Sequence, residues 1–221
     1  MKVLMYCGLG VVMAVVAAEK GADVSAASKT VTLPAPALEG KMSLEQAIGH
    51  RRSARRFTEQ VLTVKEIGQL CWAGQGITEP KRGLRAAPSA GALYPIELYV
   101  VTAEGVDRYL PEKHELQRHL AGDQRKALQE AASGQQAVGA APACIVIAGE
   151  FERSARKYRD RAERYCWQEA GHIAQNILLQ ATALNLAGVP VGGYDDAKTV
   201  EAMKLPKGWR ILYLLPIGHP Q

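Results

Sequence analysis

Asp160–Tyr194, DRAERYCWQEAGHIAQNILLQATALNLAGVPVGGY, decides the fold. After an opening of alternating charges, it runs to Ala187 with no proline and one glycine. Cys166, Ala170, Ile173, Ile177, Ala181 and Leu184 recur at helical spacing. Leu178, Leu179 and Leu186 put apolar residues on other faces, so the second half is apolar nearly all round. Such a helix belongs in the middle of a domain. Gly188 stands where a helix C-terminus favours a residue with positive φ. Val189-Pro190-Val191-Gly192-Gly193 then predicts an extended piece ending in two residues with no side chain. A chain is built this way where its backbone must lie close against something flat or crowded.

The totals agree with a globular protein. The 221 residues suit one domain with volume for a core. With 48% hydrophobic and 22% charged residues, the chain is not of the disordered class. The formal charge of +5 is modest, and its excess gathers in His50–Arg56 and Arg153–Arg164. A nucleic-acid binder spreads basic residues along a face and interleaves aromatics. Two compact clusters match a small anion such as a phosphate better, so no nucleic-acid partner is expected.

Residues 1–27 are expected to lie outside the fold as a signal peptide and flexible start. Val3–Ala18 is apolar but too short for a comfortable membrane span. Small residues at Val16-Ala17-Ala18 or Ser25-Ala26-Ala27 offer cleavage sites near Ala18 or Ala27. The expectation is export to the periplasm, with no stable membrane span after signal removal. An uncleaved anchor and an artefactual start codon are the alternatives. Of the four cysteines, Cys7 falls in this segment. Cys71, Cys144 and Cys166 lie beside core-like residues with no metal-ligand spacing, which predicts buried free thiols and no metal site. One disulfide stays open in an oxidising compartment.

Residues 28–42 form a proline-broken extended arm. The domain is expected over 43–221. Ser43 caps a helix over SLEQAIGHRR, and Thr63 caps a second at capping-box spacing from Glu66. Gly74–Ala87 is a polar loop and Pro88–Pro95 a turn of small residues. Strands follow at Ile96–Ala103 and Ala143–Ala148, with a hairpin over Val106–Leu110 and His114–Leu120. Helical pieces occupy Asp123–Ser133, the residues before Pro142, and Asp196–Lys204. Ile211–Ile217 is the last strand, whose Pro216 marks an edge. This mixed order favours α+β.

Three constellations could carry chemistry. Arg51-Arg52-Ser53-Ala54-Arg55-Arg56-Phe57 offers forked donors for an anion, or is simply a solvated helix end. Pro88-Ser89-Ala90-Gly91-Ala92-Leu93-Tyr94-Pro95 exposes rigid backbone that could read a heterocycle, or is a turn before a strand. The N–H groups of Val191-Gly192-Gly193 could stabilise negative charge on a reduced ring. Glu169 and His172 share a helix face, and a structural hydrogen-bonded pair is the expectation for them. Ser89 has no His/Asp partner in context, which excludes a serine hydrolase.

Taken in order, RRSxRxF, PSAGALYP before a strand, EAGHIAQNILLQA and GxPxGGYD resemble the nitroreductase superfamily of FMN-dependent oxidoreductases. PSAGALYP and EAGHIAQN resemble its SagB-type dehydrogenase branch, over Ser43 to Pro220. The resemblance implies an α+β nitroreductase-like fold with a mainly antiparallel central sheet flanked by helices, in an intertwined homodimer. It implies FMN as cofactor, held at its phosphate, ribityl chain and pyrimidine edge by Arg51, Arg52, Ser53 and Arg55. Pro88, Ser89, Ala90, Gly91 and Leu93 would contact the flavin bound to the other subunit. Val191, Gly192 and Gly193 would lie along the isoalloxazine with a backbone N–H near N5. Lys157-Tyr158 matches the catalytic Lys-Tyr pair of the azole-forming branch, with one of the two accepting a proton. The implied reaction is two-electron transfer on a small-molecule or peptide substrate, with NAD(P)H left open as donor. Ala92 stands where many nitroreductases carry Asn. Gly218-His219-Pro220-Gln221 lacks their phosphate-reaching Lys or Arg, which leaves the phosphate to the arginines. The rival reading is a non-catalytic flavin-binding or interaction protein on the same fold.

Overall fold

Short polar residues start the first helices. In the computed structural model, which describes residues 29–221, Ser43 and Thr63 each close a full capping box. The elements run in chain order as follows. Strand β1 (Thr30–Thr32) precedes helices α1 (Leu44–His50) and α2 (Val64–Gln75). A small hairpin, β2 (Ile77–Glu79) and β3 (Leu84–Arg85), leads to the turn and to β4 (Ile96–Thr102), β5 (Gly105–Leu110) and β6 (Glu115–Ala121). Helices α3 (Arg125–Ala131) and α4 (Gln136–Ala140) precede β7 (Ala143–Glu150). Helices α5 (Phe151–Tyr158) and α6 (Ala162–Ala183), strand β8 (Ala187–Gly188), helix α7 (Asp196–Ala202) and strand β9 (Trp209–Gly218) complete the chain.

Seven strands form one sheet in the order β1-β6-β5-β4-β7-β9-β8, and every pairing is antiparallel. Alternation along the strands sends side chains to two cores. Leu98, Val100, Ile145 and Ile147 meet α2 and α6 on one face. Tyr99, Val101, Cys144 and Val146 meet α3, α4 and α7 on the other. The predicted α+β fold of the single chain, a mainly antiparallel sheet flanked by helices, is therefore the observed one, and α6 is its central helix. Among the described residues, no helix is long and apolar enough to cross a membrane. The expected signal segment lies outside the described residues.

Several local expectations need correction. The helical stretch does not start at Asp160. Arg159, at φ 51°, breaks it from a separate helix α5, and α6 begins at Ala162. Nor does it run to Ala187 with Gly188 as the left-handed cap. Asn185 takes that place at φ 57°, with Leu186 N–H donating to the Ala181 carbonyl and Asn185 N–H to that of Thr182. Gly188 serves a different need: a Cβ there would stand 2.9 Å from the Pro216 carbonyl oxygen, so only glycine lets β8 lie against β9. The Gly74–Ala87 loop contains the β2–β3 hairpin. Part of the extended arm joins the sheet as β1, and Leu33 is buried behind it. The Pro216 carbonyl faces the two-residue β8, accepting from Val189 N–H at 3.3 Å. A strand residue's N–H and C=O point to the same side, so the missing N–H faces that thinly covered edge, as expected of proline. Cys71, Cys144 and Cys166 are free and buried.

Candidate active site

The arginine segment leaves α1 as an extended strap along the β8 side of the sheet. Ser53 forms a parallel bridge with Gly188, and Ala54 N–H donates to the Gly188 carbonyl at 3.1 Å. Phe57 is buried and bridges Pro220, which anchors the far end. Alternation then turns successive strap residues to opposite sides. Arg51 is half-buried, while Arg52, Ser53, Arg55 and Arg56 are exposed. Arg52 Nη1 donates to the Gly49 and Arg51 carbonyls at 3.0 and 2.8 Å, so it caps the end of α1. No ion pair engages Arg51, Arg55 or Arg56 among the described residues. A cavity of about 370 Å³ lies against the strap, with His50, Arg52, Ala54 and Asn185 in its wall.

Val191, beyond β8, pairs with Leu214 of β9 through hydrogen bonds of 2.8 and 3.0 Å, on the same edge of β9 as Gly188. The Gly193 carbonyl is held by Gln135 Nε2 at 2.8 Å, a tie across 58 residues that no local pattern announces. A Cβ on Gly192 or Gly193 would meet its nearest neighbour only at 3.8 or 3.7 Å. The chain's own packing therefore does not demand glycine at either position. Bare backbone at Gly192-Gly193 and strap guanidiniums without ion pairs are the two features a flat, anionic ligand needs, and FMN fits that description.

A second group of residues gathers around the Pro88–Tyr94 turn. Gly91, Ala92 and Tyr94 all have positive φ, at 62°, 53° and 47°. Two of these are not glycine, and such backbone persists only where its surroundings hold it. Ser89 Oγ accepts the Tyr94 N–H at 2.9 Å, Tyr94 Oη accepts the Arg85 N–H at 3.1 Å, and Arg153 Nη1 donates to the Tyr94 carbonyl at 2.6 Å. The Arg85 guanidinium stacks 4.6 Å from the Tyr94 ring centroid. Lys157 and Tyr158, from the last turn of α5, reach over the turn. A Cβ on Gly91 would stand 2.6 Å from Tyr158 Oη and 2.7 Å from Lys157 Nζ. The structure thus gathers Lys157 and Tyr158 over the Pro88–Tyr94 turn at Gly91, and it joins Ser53 and Ala54 of the strap to Gly188, three residues before Val191. No hydrogen bond or ion pair among the described residues joins the two groups.

Three side chains behave differently from the sequence reading. Arg153 belongs to the expected anion cluster, yet its guanidinium is engaged by Glu97, Glu150 and the Tyr94 carbonyl. His172 is exposed whereas Glu169 is 3% exposed, and no hydrogen bond joins the expected pair. Instead Glu169 faces Ser89, Gln75, Arg85 and Arg153. Its burial pushes the carboxyl up to about 7, against the opposing pull of Ser89, Gln75 and the two guanidiniums. A signal for this was available: Glu169 stands three residues after Cys166 and four before Ile173, on the buried stripe.

The sequence profile of the nitroreductase family matches residues 48–219. The chain belongs to the nitroreductase family. A Methanocaldococcus jannaschii protein named as a nitroreductase, MJ1384, is 38% identical over 196 residues, covering 86% of this chain and 97% of its own. The Escherichia coli microcin B17-processing protein McbC is 28% identical over 156 residues, 65% of this chain and 57% of McbC. This second likeness supports the SagB-like branch. Among solved structures, one from Ralstonia eutropha JMP134, titled as a nitroreductase, superposes with a TM-score of 0.80 at 28% identity, covering 87% of this chain and 90% of that one. Membership of this family makes an oxidoreductase the functional class.

Proposed function

We propose that this nitroreductase-family protein is an FMN-dependent oxidoreductase acting on a small-molecule or peptide substrate as a homodimer. The observation that carries the reading is the convergence of Lys157 Nζ and Tyr158 Oη on Gly91 of the small-residue turn. An amine and a phenol, the group types that exchange protons with a substrate, stand over a rigid, exposed backbone, as a dehydrogenating site needs.

Arg51, Arg52, Ser53 and Arg55 bind the phosphate, ribityl chain and pyrimidine edge, and Val191-Gly192-Gly193 lies along the ring. Pro88, Ser89, Ala90, Gly91 and Leu93 of one protomer close over the flavin of its partner. That no hydrogen bond or ion pair among the described residues joins the two groups is compatible with this shared site. Leu44 and Ile48 support it too, since they are 61% and 56% exposed one turn apart on α1 and form an apolar face for a second copy. Bound FMN supplies two-electron transfer through its N5. Tyr158 or Lys157 takes the substrate proton, while the backbone of Val191–Gly193 favours negative charge on the ring. McbC's named role in microcin B17 processing directs the substrate search toward modified peptides.

The first test is the spectrum and size of the purified protein. A yellow dimer that takes up FMN to one per chain is the expected result. A colourless monomer that takes up no added FMN overturns the reading. Reduction by NADH or NADPH in a stopped-flow instrument then separates a nicotinamide-fed reductase from a donor-independent oxidase. The proposal includes export through Met1–Ala27, which N-terminal sequencing of the protein from cells decides.

A further inference from the structure

Glu169 is a buried acid that the proposed chemistry does not use. Gln75 from α2, Arg85 from β3, Ser89 from the turn and Arg153 from α5 face its carboxyl, and Cys166 lies one turn back on α6. Two complementary atoms in this cluster stay unmatched: the acceptor Glu169 Oε1 and the donor Gln75 Nε2 make no hydrogen bond among the described residues. Gln75 is 1% exposed and Glu169 3%. Protein interiors seldom leave such atoms alone, and the exceptions mark strain or function.

The neighbours show what the carboxyl acts on. Ser89 Oγ already accepts the Tyr94 N–H, so the Ser89 hydroxyl proton is free to turn toward Glu169. Tyr94 is the last left-handed residue of the strained turn. A stronger acceptor at Glu169 fixes the Ser89 hydroxyl, which fixes Tyr94, which sets Gly91 beneath Lys157 and Tyr158.

We propose that Glu169 is a positioning residue that acts through Ser89 to hold the Pro88–Tyr94 turn in its strained form, and so sets how tightly the turn closes on FMN. The proposal rests on the flavin reading only for its ligand. The ionised carboxylate accepts a charge-assisted hydrogen bond, about twice as strong as a neutral one. The turn is therefore firmer above the carboxyl's midpoint near 7 than below it. FMN binding by wild-type protein should weaken about fivefold as the pH falls through this range. Glu169→Gln keeps shape and burial but cannot ionise, so it lacks this step and stays weaker than wild type above pH 7.

The test is FMN affinity by flavin fluorescence from pH 5.5 to 8.5 for wild type, Glu169→Gln, Ser89→Ala and the double variant. FMN's own phosphate titrates near 6, and Glu169→Gln retains that step as an internal control. The expected result is a step near pH 7 in wild type that disappears in Glu169→Gln. Once Ser89 is alanine, the choice of Glu or Gln at 169 should make no difference. A step of the same midpoint and size in Glu169→Gln overturns the proposal, as does an undiminished Glu169 effect in the Ser89→Ala background. Hydrogen exchange at the Tyr94 amide, compared between wild type and Glu169→Gln at matched pH, reads the turn without FMN. Should no FMN bind, the flavin reading falls while the exchange result still decides the role of Glu169. Slower Tyr94 exchange in wild type than in the variant above pH 7 supports it, and equal exchange overturns it.

Discussion

Arg153 Nη1 donates to the carbonyl oxygen of Tyr94 at 2.6 Å, across 59 residues of sequence. The same guanidinium meets Glu97 at 3.0 Å and Glu150 at 2.6 Å. It ties the strained turn to α5, the helix that delivers Lys157 and Tyr158. Arg153→Ala would leave the buried Glu97 with Arg108 alone. Removing one partner of a buried ion pair costs several kcal/mol, but Arg153 is one-third exposed, so about 2 kcal/mol is expected. Denaturant unfolding measures this. Arg153→Lys cannot reproduce the fork and should recover only part of the loss. A full recovery would mean that charge, not geometry, holds the turn.

Gly91 and Gly122 make a controlled pair. Both have positive φ, at 62° and 84°, so alanine at either position is strained by about 1 kcal/mol. At Gly122 a Cβ meets nothing within 4 Å, whereas at Gly91 it meets Tyr158 Oη and Lys157 Nζ. Unfolding should report similar losses, because the ends of Tyr158 and Lys157 can swing away. FMN affinity should separate the two. Gly91→Ala is expected to lose about tenfold, or about 1.4 kcal/mol, with Gly122→Ala unchanged. Equal affinities would remove the turn from the binding site.

The arginine strap predicts loss of FMN without loss of fold. In the proposed site, Arg51→Ala and Arg55→Ala would each remove a charged donor from the phosphate, worth about 1.5–3 kcal/mol. Each should weaken FMN binding by about 10- to 100-fold while the unfolding midpoint of the apoprotein stays put. Unchanged retention of FMN would show that its phosphate lies elsewhere.

Glu169 also makes a prediction about stability. Its carboxyl sits at about 7 in the folded protein, above its ordinary 4.5. A raised carboxyl stabilises the fold fully below the unfolded value, and that contribution is lost as pH rises through the folded value. Wild-type stability should thus fall by up to about 3 kcal/mol between pH 4.5 and 7 and then level off. Glu169→Gln should lack this component. Stability and FMN affinity therefore respond to pH with opposite signs: desolvation of the charge weakens the whole fold, while the charge itself tightens one turn. Parallel responses would argue that Glu169 is a core residue and nothing more.

The legible parts of the fold were those governed by local rules. Capping residues, the run of apolar spacing in α6 and the buried run Ala143–Ala148 each act over a few residues, so they show in the sequence. The illegible parts depend on partners far along the chain. Asn185 could take the left-handed cap, and Gly188 was then free for a close approach that only the path of β9 creates. Arg153 read as part of an anion-binding cluster because its partners Glu97 and Tyr94 are more than 50 residues away. The motifs Arg51–Phe57, Pro88–Pro95 and Val191–Gly193 were visible. That Lys157 and Tyr158 meet Gly91 was not, because motif order carries no distance.

Cys71, Cys144 and Cys166 are each fully buried, and burial raises all three thiols, Cys144 to about 12. Only the thiolate reacts readily, so these three cysteines should be silent to thiol reagents while the protein stays folded. Cys71 and Cys166 lie in the core beneath α2 and α6, and Cys144 lies in the core on the opposite face of the sheet. The molecule therefore carries its own pair of timers for breathing. If one layer of helices lifts before the other, labelling will strike one set of sulfurs first, and the sequence of events will be written in the mass of the protein.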